Sequence, residues 1–227
     1  MLSIALTGGF GTGKTTVLHM FGKLGSRTVD IDSIVHNILK DTVIKKRIGK
    51  ILGESVLDRS NNRISVNKRR VANIIFNDQQ KRKSVEMLIH PLVLRNIRDI
   101  KKDTLRKEPS ALIVFEVPLL FEAGYGKHFD KIVVVSCSRK TALKRLEKKG
   151  FFHDEAEKRM RAQLPMTLKK KEADFVIDNN NGTDKTEARV RRIFNKLKTS
   201  AVSTKSVNKS CKRFKWLSRK GSRGPGV

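Results

Sequence analysis

Glycines, a lysine and a threonine near the start of the chain have the spacing of a phosphate-binding loop. Residues 8–15 read Gly-Gly-Phe-Gly-Thr-Gly-Lys-Thr, in which four residues separate Gly8 from Gly13-Lys14-Thr15. Glycines let backbone N–H groups approach a phosphate closely, and the amino end of the following helix favours an anion. Lys14 would reach the β- and γ-phosphates of ATP, and the Thr15 hydroxyl would bind Mg²⁺. The residues predicted to contact the nucleotide here are Gly9, Gly11, Thr12, Gly13, Lys14, Thr15 and Thr16.

Carboxylates follow two apolar segments farther along the chain. Asp30 and Asp32 end one apolar run, and Glu116 ends another. Carboxyl ends of parallel strands meet at the edge where ligands bind, so these side chains should share the cleft of the phosphate-binding loop. Asp32 is the predicted catalytic base for an attacking hydroxyl, although either aspartate is also a suitable cap for the next helix. Glu116 is predicted to hold Mg²⁺ with Thr15, directly or through a bound water.

Short apolar runs alternate with amphipathic segments along most of the chain. Continuous apolar runs of this length predict strands that are buried on both faces. We predict strands over residues 2–6, 28–31, 111–116, 131–136 and 175–177. Helical spacing predicts helices over residues 14–24, 33–39, 42–52, 66–76, 78–88, 91–107, 139–163 and 184–197. No convincing strand is found between residues 39 and 108.

This order of elements predicts an α/β fold with a mainly parallel sheet and helices on both faces. The long helical stretch between the second and third strands would be an insertion at the carboxyl edge of the sheet, where ligands bind in such folds. Together with the loop, these elements predict a phosphotransferase that moves the γ-phosphate of ATP onto a hydroxyl of a small substrate.

The chain is strongly basic. Its 227 residues include 50 Lys and Arg against 22 Asp and Glu, which gives a net charge of +28. Ten of the basic residues lie between Lys196 and Val227, where there is no acid, so the remainder still carries +18. Such a field attracts polyanions, either nucleotides or nucleic acid, and its sign alone does not choose between them.

Residues 198–227 are predicted to be a basic, mostly disordered tail. Ser, Lys, Arg and Gly predominate there, and Phe-Lys-Trp-Leu at 214–217 is its one apolar patch. No apolar run in the chain approaches the ~20 residues needed to span a membrane. The N-terminus lacks the pattern of a secretory signal, and the two distant cysteines, Cys137 and Cys211, fit a reducing compartment. We therefore predict a cytoplasmic protein.

Several segments, taken in order, resemble the dephospho-CoA kinase family. They are Leu-Thr-Gly-Gly-Phe-Gly-Thr-Gly-Lys-Thr at 6–15, Val-Asp-Ile-Asp-Ser-Ile-Val-His at 29–36, His-Pro at 90–91, Pro-Leu-Leu-Phe-Glu at 118–122 and Ala-Asp-Phe-Val-Ile-Asp-Asn at 173–179. Only the first is specific by itself, but their joint order is specific. The resemblance covers residues 2–197. It implies phosphorylation of the ribose 3′-hydroxyl of dephospho-CoA by ATP, the last step of coenzyme A synthesis.

The resemblance also implies a division into three parts. These are a nucleotide-binding core at 1–32, 109–138 and 166–197, a helical CoA-binding insertion at 33–108, and a small lid at 139–165. Within the insertion, His90-Pro91 is expected to open a helix, as His-Pro does in the family. Lid arginines of the family contact ATP, and Arg145 and Arg159 match that pattern better than Arg161 does. Arg145 is further expected to act in catalysis with Asp32 and Lys14. The alternative for each arginine is a solvated charge on a helix surface.

Contacts with dephospho-CoA are implied for five residues. Asp32 would orient the 3′-hydroxyl and His90 would lie near the entrance of the site. The full set is Asp32, His36, His90, Leu119 and Phe121. Ordinary core packing is an equal alternative for the apolar residues at 119–121.

The chain departs from the family pattern at three places. Glu116 stands where the family usually has aspartate, which keeps a carboxylate but lengthens its reach. An arginine expected just before the turn at Gly150 is lysine here, Lys148 or Lys149, and a glutamine expected near Ala142 is absent. These differences concern adenine contacts and metal geometry rather than the reaction.

Two other functions fit some of these features. A different small P-loop kinase, acting on a nucleoside monophosphate or a sugar, would share the core motifs, although the long helical insertion and the segment 118–122 argue against it. A non-enzymatic nucleic-acid binder would use the basic body and the tail, whose Phe214 and Trp216 could stack on bases. Nucleic-acid binding by the tail is the less favoured interpretation, because charge patterning alone is weak evidence.

Overall fold

The computed structural model describes residues 1–60 and 63–203. From position 204 onward the predicted tail lies outside the described residues, and so do Cys211 and the apolar residues 214–217. Within the described part, the strands are β1 (Leu2–Gly8), β2 (Arg27–Asp30), β3 (Leu57–Ser60), β4 (Arg63–Val66), β5 (Leu112–Glu116), β6 (Lys131–Ser136) and β7 (Phe175–Asp178). The α-helices are α1 (Lys14–Lys23), α2 (Ile31–Ile38), α3 (Thr42–Leu52), α4 (Lys68–Asn77), α5 (Gln79–Lys107), α6 (Arg139–Glu147), α7 (His153–Arg161), α8 (Met166–Lys171) and α9 (Gly182–Ser203).

Five strands form one sheet in the order β2–β5–β1–β6–β7. β1 pairs in parallel with β5 and β6, and β6 pairs in parallel with β7. All residues of β1 and β5 are buried, as expected for strands that are covered on both faces. The predicted α/β fold with a mainly parallel sheet is therefore confirmed.

The core lies between this sheet and helices α1 and α9. Val17 and Phe21 of α1, four residues apart, are completely buried beside Val190 and Ile193 of α9. Burial of such side chains stabilises each helix by about 1.5–3 kcal/mol per residue. This packing fixes α1 against β1, so the loop between them, residues 9–13, is anchored at both ends.

The chain divides into two compact units. One comprises Met1–Val29 with the residues from Thr104 onward, and the other is Asp30–Asp103. The second unit contains α2, α3, α4, most of α5 and the β3–β4 hairpin. It overlaps the helical insertion that the sequence predicts over 33–108.

The expectation of no strand between residues 39 and 108 is wrong. β3 and β4 pair antiparallel, with Leu57 opposite Val66 and Arg59 opposite Ile64. β4 alternates between polar and apolar residues, and β3 has one apolar residue followed by three polar ones. Neither therefore contains the continuous apolar run by which the other strands were identified.

The expectation that His90-Pro91 opens a helix is also wrong. A single helix, α5, runs from Gln79 to Lys107 with Pro91 in its interior. Proline removes one backbone hydrogen bond and favours a break. Here Ile89, Val93 and Ile97 are buried at four-residue spacing on either side of the proline, so burial stabilises the continuous helix.

Helix boundaries between residue 139 and the end of α9 also differ from those predicted from the sequence. The segment 139–163 forms two helices, α6 and α7, because Gly150 takes a left-handed conformation with φ of 84° between them. The short helix α8 was not predicted, and α9 continues to Ser203 rather than ending at Leu197. Among the described helices, none combines the length and apolar character needed to cross a membrane.

Candidate active site

The glycine-rich loop between β1 and α1 has a shape that only glycine permits at two positions. Gly11 and Gly13 have φ of 78° and 86°, in the left-handed region. A Cβ atom on Gly13 would lie 2.4 Å from Nδ2 of Asn179. The loop is closed on itself by Thr12, whose hydroxyl donates to the carbonyl of Gly9 at 2.9 Å. Replacement of Gly11 or Gly13 by another residue would therefore distort the loop.

Lys14 and the amino end of α1 lie on this loop. The helix begins after Gly13, and none of the described side chains caps its first N–H groups. The Nζ atom of Lys14 donates to the carbonyl of Gly9 at 3.0 Å, so the ammonium folds back over the loop. Thr16 lies in the first turn of α1 and is exposed. A helix amino end without a side-chain cap, its dipole and a nearby ammonium are features that favour an anion.

Thr15 and Glu116 meet at the carboxyl edge of the sheet. Oγ1 of Thr15 donates to Oε1 of Glu116 at 3.2 Å. Glu116, the last residue of β5, is 7% exposed, whereas Thr15 is exposed. The structure therefore brings together the two residues that the sequence predicts to hold Mg²⁺. Residues 1–60 and 63–203 contain no group of three or more His, Cys, Asp or Glu side chains that could hold a metal ion.

Arg145 of α6 lies against the same loop. Its guanidinium donates to the carbonyl of Asn179 at 2.8 Å and to the carbonyl of Thr12 at 3.4 Å. The side chain of Asn179 also donates to the Thr12 carbonyl, at 2.8 Å, and accepts from Thr186 at 2.9 Å. Arg145 is thus near the phosphate-binding loop, as the sequence predicts.

Asn179 is a site residue that sequence reasoning missed. It follows β7 directly, is 6% exposed, and its N–H donates to the carbonyl of Ser136 at the end of β6. Its position after the last strand was a usable signal, because loops at the carboxyl ends of parallel strands form the ligand edge.

Arg159 of α7 also reaches the loop, through an aromatic side chain. Its guanidinium carbon lies 5.6 Å from the ring centroid of Phe10 and 5.2 Å from that of Phe151. The two rings pack edge to face at 5.2 Å, and Glu155 accepts a hydrogen bond from Arg159 at 2.7 Å. Arg161 instead pairs with Glu157 and is largely exposed. The structure therefore brings Arg159, rather than Arg161, to the loop.

Asp32, His36 and His90 belong to the second unit. Asp30 is the N-cap of α2, since its carboxylate accepts from the N–H groups of Asp32 and Ser33 at 3.0 and 3.2 Å. Capping therefore falls to Asp30. Asp32 and His36 are exposed, four residues apart on one face of α2, and His90 is half-buried in α5.

The two apolar candidates differ in exposure. Leu119 is 49% exposed and Phe121 is 4% exposed, in the turn that follows β5. Leu119 is accessible to a ligand, and the burial of Phe121 fits core packing.

Burial raises the pKa of the Cys137 thiol above its ordinary value of about 9, against the opposing effect of nearby Arg145. Asp178 adds to the increase, and the charge of Lys14 opposes it. The raised pKa favours the protonated thiol at pH 7.

Comparison with known proteins decides the family. Residues 2–185 match the sequence profile of the family described as dephospho-CoA kinase. The chain belongs to the dephospho-CoA kinase family. The match confirms the resemblance seen in the ordered segments and, with it, the predicted enzyme class, a kinase that phosphorylates dephospho-CoA.

Relatives of similar length support this assignment. The dephospho-CoA kinase of Aquifex aeolicus is 31% identical over 198 residues, which cover 87% of this chain and 98% of the relative. A crystal structure from Thermus thermophilus is 25% identical, with a TM-score of 0.72, over 86% of this chain and 97% of that one. The dephospho-CoA kinase from Campylobacter jejuni has the same fold, with a TM-score of 0.63 at 21% identity, and the match covers 87% of this chain and 98% of that one.

Proposed function

We propose that this member of the family transfers the γ-phosphoryl group of ATP to the ribose 3′-hydroxyl of dephospho-CoA, releasing ADP and coenzyme A. One observation carries the proposal: the glycine loop, Lys14, the Thr15–Glu116 pair and Arg145 converge at one edge of the sheet. Phosphoryl transfer needs positioning and charge neutralisation more than covalent chemistry from the protein, and these groups supply both.

The loop has the properties that a triphosphate requires. Gly9, Gly11, Thr12 and Gly13 would present backbone to it, and Gly11 and Gly13 take the left-handed conformation that the turn of the loop requires. Lys14 then exchanges its hydrogen bond to the Gly9 carbonyl for phosphate oxygens, which is favourable because the new acceptor is charged. Thr16, in the first turn of α1, adds a hydroxyl beside the α-phosphate.

Thr15 and Glu116 suit Mg²⁺, because a hydroxyl and a carboxylate are the hard oxygen ligands that this ion prefers. Glu116 lies within hydrogen-bond distance of the Thr15 hydroxyl, so it would bind the ion or a water on it. When bound, Mg²⁺ neutralises charge on the β- and γ-phosphates.

Asp32 is the proposed base for the acceptor hydroxyl. It is exposed, and Asp30 already caps α2, so the Asp32 carboxylate is not needed to begin the helix. We propose that it orients the 3′-hydroxyl and accepts its proton, with His36 on the same helix face and His90 contacting the rest of dephospho-CoA. Leu119 would pack on the pantetheine arm, and Phe121 would support it from the core.

Arg145 and Arg159 are proposed to neutralise charge on the transferring phosphoryl group and on ATP. Arg145 already lies on the Thr12 carbonyl, and Arg159 is held over Phe10. A planar guanidinium binds two phosphate oxygens at once, which suits a charge that is spread over several oxygens. We place the reaction in the cytoplasm, in keeping with the two widely spaced cysteines.

The test measures ADP release with a panel of acceptors: dephospho-CoA, nucleoside monophosphates and gluconate. Among these acceptors, we expect turnover only with dephospho-CoA. Faster turnover with another acceptor would contradict the proposed substrate.

Two matched variants then test the base. D32N should lower kcat by about 10²–10⁴ and leave the affinity for ATP unchanged. D30N should retain turnover, because asparagine caps a helix as well as aspartate does. Loss of turnover in D30N but not in D32N would assign the base to Asp30.

A further inference from the structure

One of three consecutive lysines in α8 is buried. Lys169 is 1% exposed, whereas Lys170 and Lys171 are exposed. Burial of an ammonium is strongly unfavourable unless an opposite charge compensates it. The Nζ atom of Lys169 lies 2.8 Å from Oε1 of Glu122, in the turn that follows β5, and the Glu122 side chain is 20% exposed. A largely buried ion pair therefore joins α8 to that turn.

The same carboxylate oxygen holds the connection that leads into α8. The N–H of Leu164 donates to Oε1 of Glu122 at 3.0 Å. Glu122 thus binds Leu164 before the helix and Lys169 within it. A carboxylate suits this position because it accepts from the Leu164 N–H and its negative charge attracts the Lys169 ammonium.

The segment that Glu122 holds lies against the first half of the P-loop. Oε1 of Gln163 accepts a hydrogen bond from the N–H of Phe10 at 3.0 Å. A Cβ atom on Gly9 would lie 3.1 Å from Cε of Met166 and 4.0 Å from Oε1 of Gln163. Gln163, in the connection between α7 and α8, therefore contacts the Gly9–Phe10 peptide through a hydrogen bond, and Met166, at the start of α8, leaves little room beside Gly9.

We propose that Glu122, Lys169 and Gln163 are positioning residues that hold the Gly9–Phe10 peptide in the conformation that binds nucleotide phosphates. The N–H of Phe10 is engaged by Gln163, so this contact orients the loop. Without it the loop samples other conformations, and the apparent affinity for ATP falls by the fraction that remains competent. The inference rests on nucleotide binding at the P-loop in the proposed function, and it is independent of the acceptor.

The test is calorimetric titration of the full chain with a non-hydrolysable ATP analogue and Mg²⁺. Q163A removes the acceptor for the Phe10 N–H and leaves the ion pair intact. K169M removes the buried charge and keeps an apolar stem, and K170M removes the same charge from an exposed neighbour as a matched control. We expect Q163A and K169M to weaken binding about fivefold, the effect of one positioning hydrogen bond, and K170M to bind as wild type.

A double variant and a thermal melt separate positioning from plain stability. E122Q/K169M removes both charges and should bind the analogue more tightly than K169M, because no unpaired carboxylate remains. Wild-type affinity in Q163A would overturn the proposal, whether or not K169M folds. A lowered melting temperature in K169M with wild-type affinity below that temperature would show that the ion pair is only structural. Analogue binding needs no dephospho-CoA, so an error in the acceptor would leave this test unaffected.

Discussion

Alanine at Gly13 would place a methyl group where the structure has no room for one. Its Cβ would lie 2.4 Å from Nδ2 of Asn179, and its φ of 86° is strained for any residue but glycine. Gly25, at the end of α1, has a similar φ of 95°, but no heavy atom of the described residues lies within 4 Å of its Cβ position. G13A and G25A therefore share the backbone strain and differ in the collision.

The two contributions have separate magnitudes. A left-handed conformation costs an alanine about 1–2 kcal/mol, and both variants bear this cost. In G13A, Asn179 must also move and lose its 2.8 Å hydrogen bond to the Thr12 carbonyl. Loss of a buried partner adds about 1–3 kcal/mol. We therefore expect G13A to be less stable than G25A by about 1–3 kcal/mol.

Urea denaturation of both variants gives this difference as a free energy of unfolding, and titration with the ATP analogue gives the functional consequence. G13A should bind the analogue at least about tenfold more weakly, since the displaced loop no longer fits a phosphate, and G25A should bind as wild type. Equal unfolding free energies for G13A and G25A, or an undiminished affinity in G13A, would refute the reasoning.

Three further predictions concern the edge of the sheet. E116Q should raise the Mg²⁺ concentration needed for half-maximal turnover, because an amide oxygen binds the ion less strongly than a carboxylate does; an unchanged requirement would exclude Glu116 as a ligand. N179A should lower the free energy of unfolding by about 1–3 kcal/mol and weaken analogue binding, since the Thr12 carbonyl loses a buried donor; the same two titrations measure both. With Cys211 replaced by serine, Cys137 should react slowly with iodoacetamide at pH 7 and faster only as the pH rises above about 9, because its raised pKa keeps it protonated; fast reaction at pH 7 would contradict this.

The sheet and the loop could be predicted because single, local signals determine them. A strand buried on both faces needs a continuous apolar run, and β6 was predicted with its observed bounds, Lys131–Ser136. The phosphate-binding loop was predicted from the spacing of its glycines with Lys14 and Thr15, between an apolar run and an amphipathic segment. By contrast, β3 and β4 are short and mostly polar, so they carry no such run. Helix α5 continues through Pro91 because burial on both sides of the proline outweighs a local helix-breaking signal.

Those residues of the candidate site whose side-chain type and sequence position indicate a function could be predicted. Lys14, Thr15 and Glu116 were identified from type and position, and the structure brings them together. Asn179 and Gln163 were not identified. The position of Asn179 after the last apolar run was a signal, but the role of each amide depends on a partner more than 150 residues away in sequence. Such contacts become visible only when the strands and helices are assembled.

The most direct measurement of the central claim follows the phosphoryl group itself. Wild-type protein and a K14A variant are incubated with γ-³²P-labelled ATP, Mg²⁺ and dephospho-CoA, and the labelled product is located by digestion with a 3′-nucleotidase. We expect label in coenzyme A, released by the nucleotidase and formed in equal amount with ADP, and no such product with K14A. Formation of ADP without labelled coenzyme A, or equal labelling by K14A, would contradict transfer from a nucleotide held on this loop.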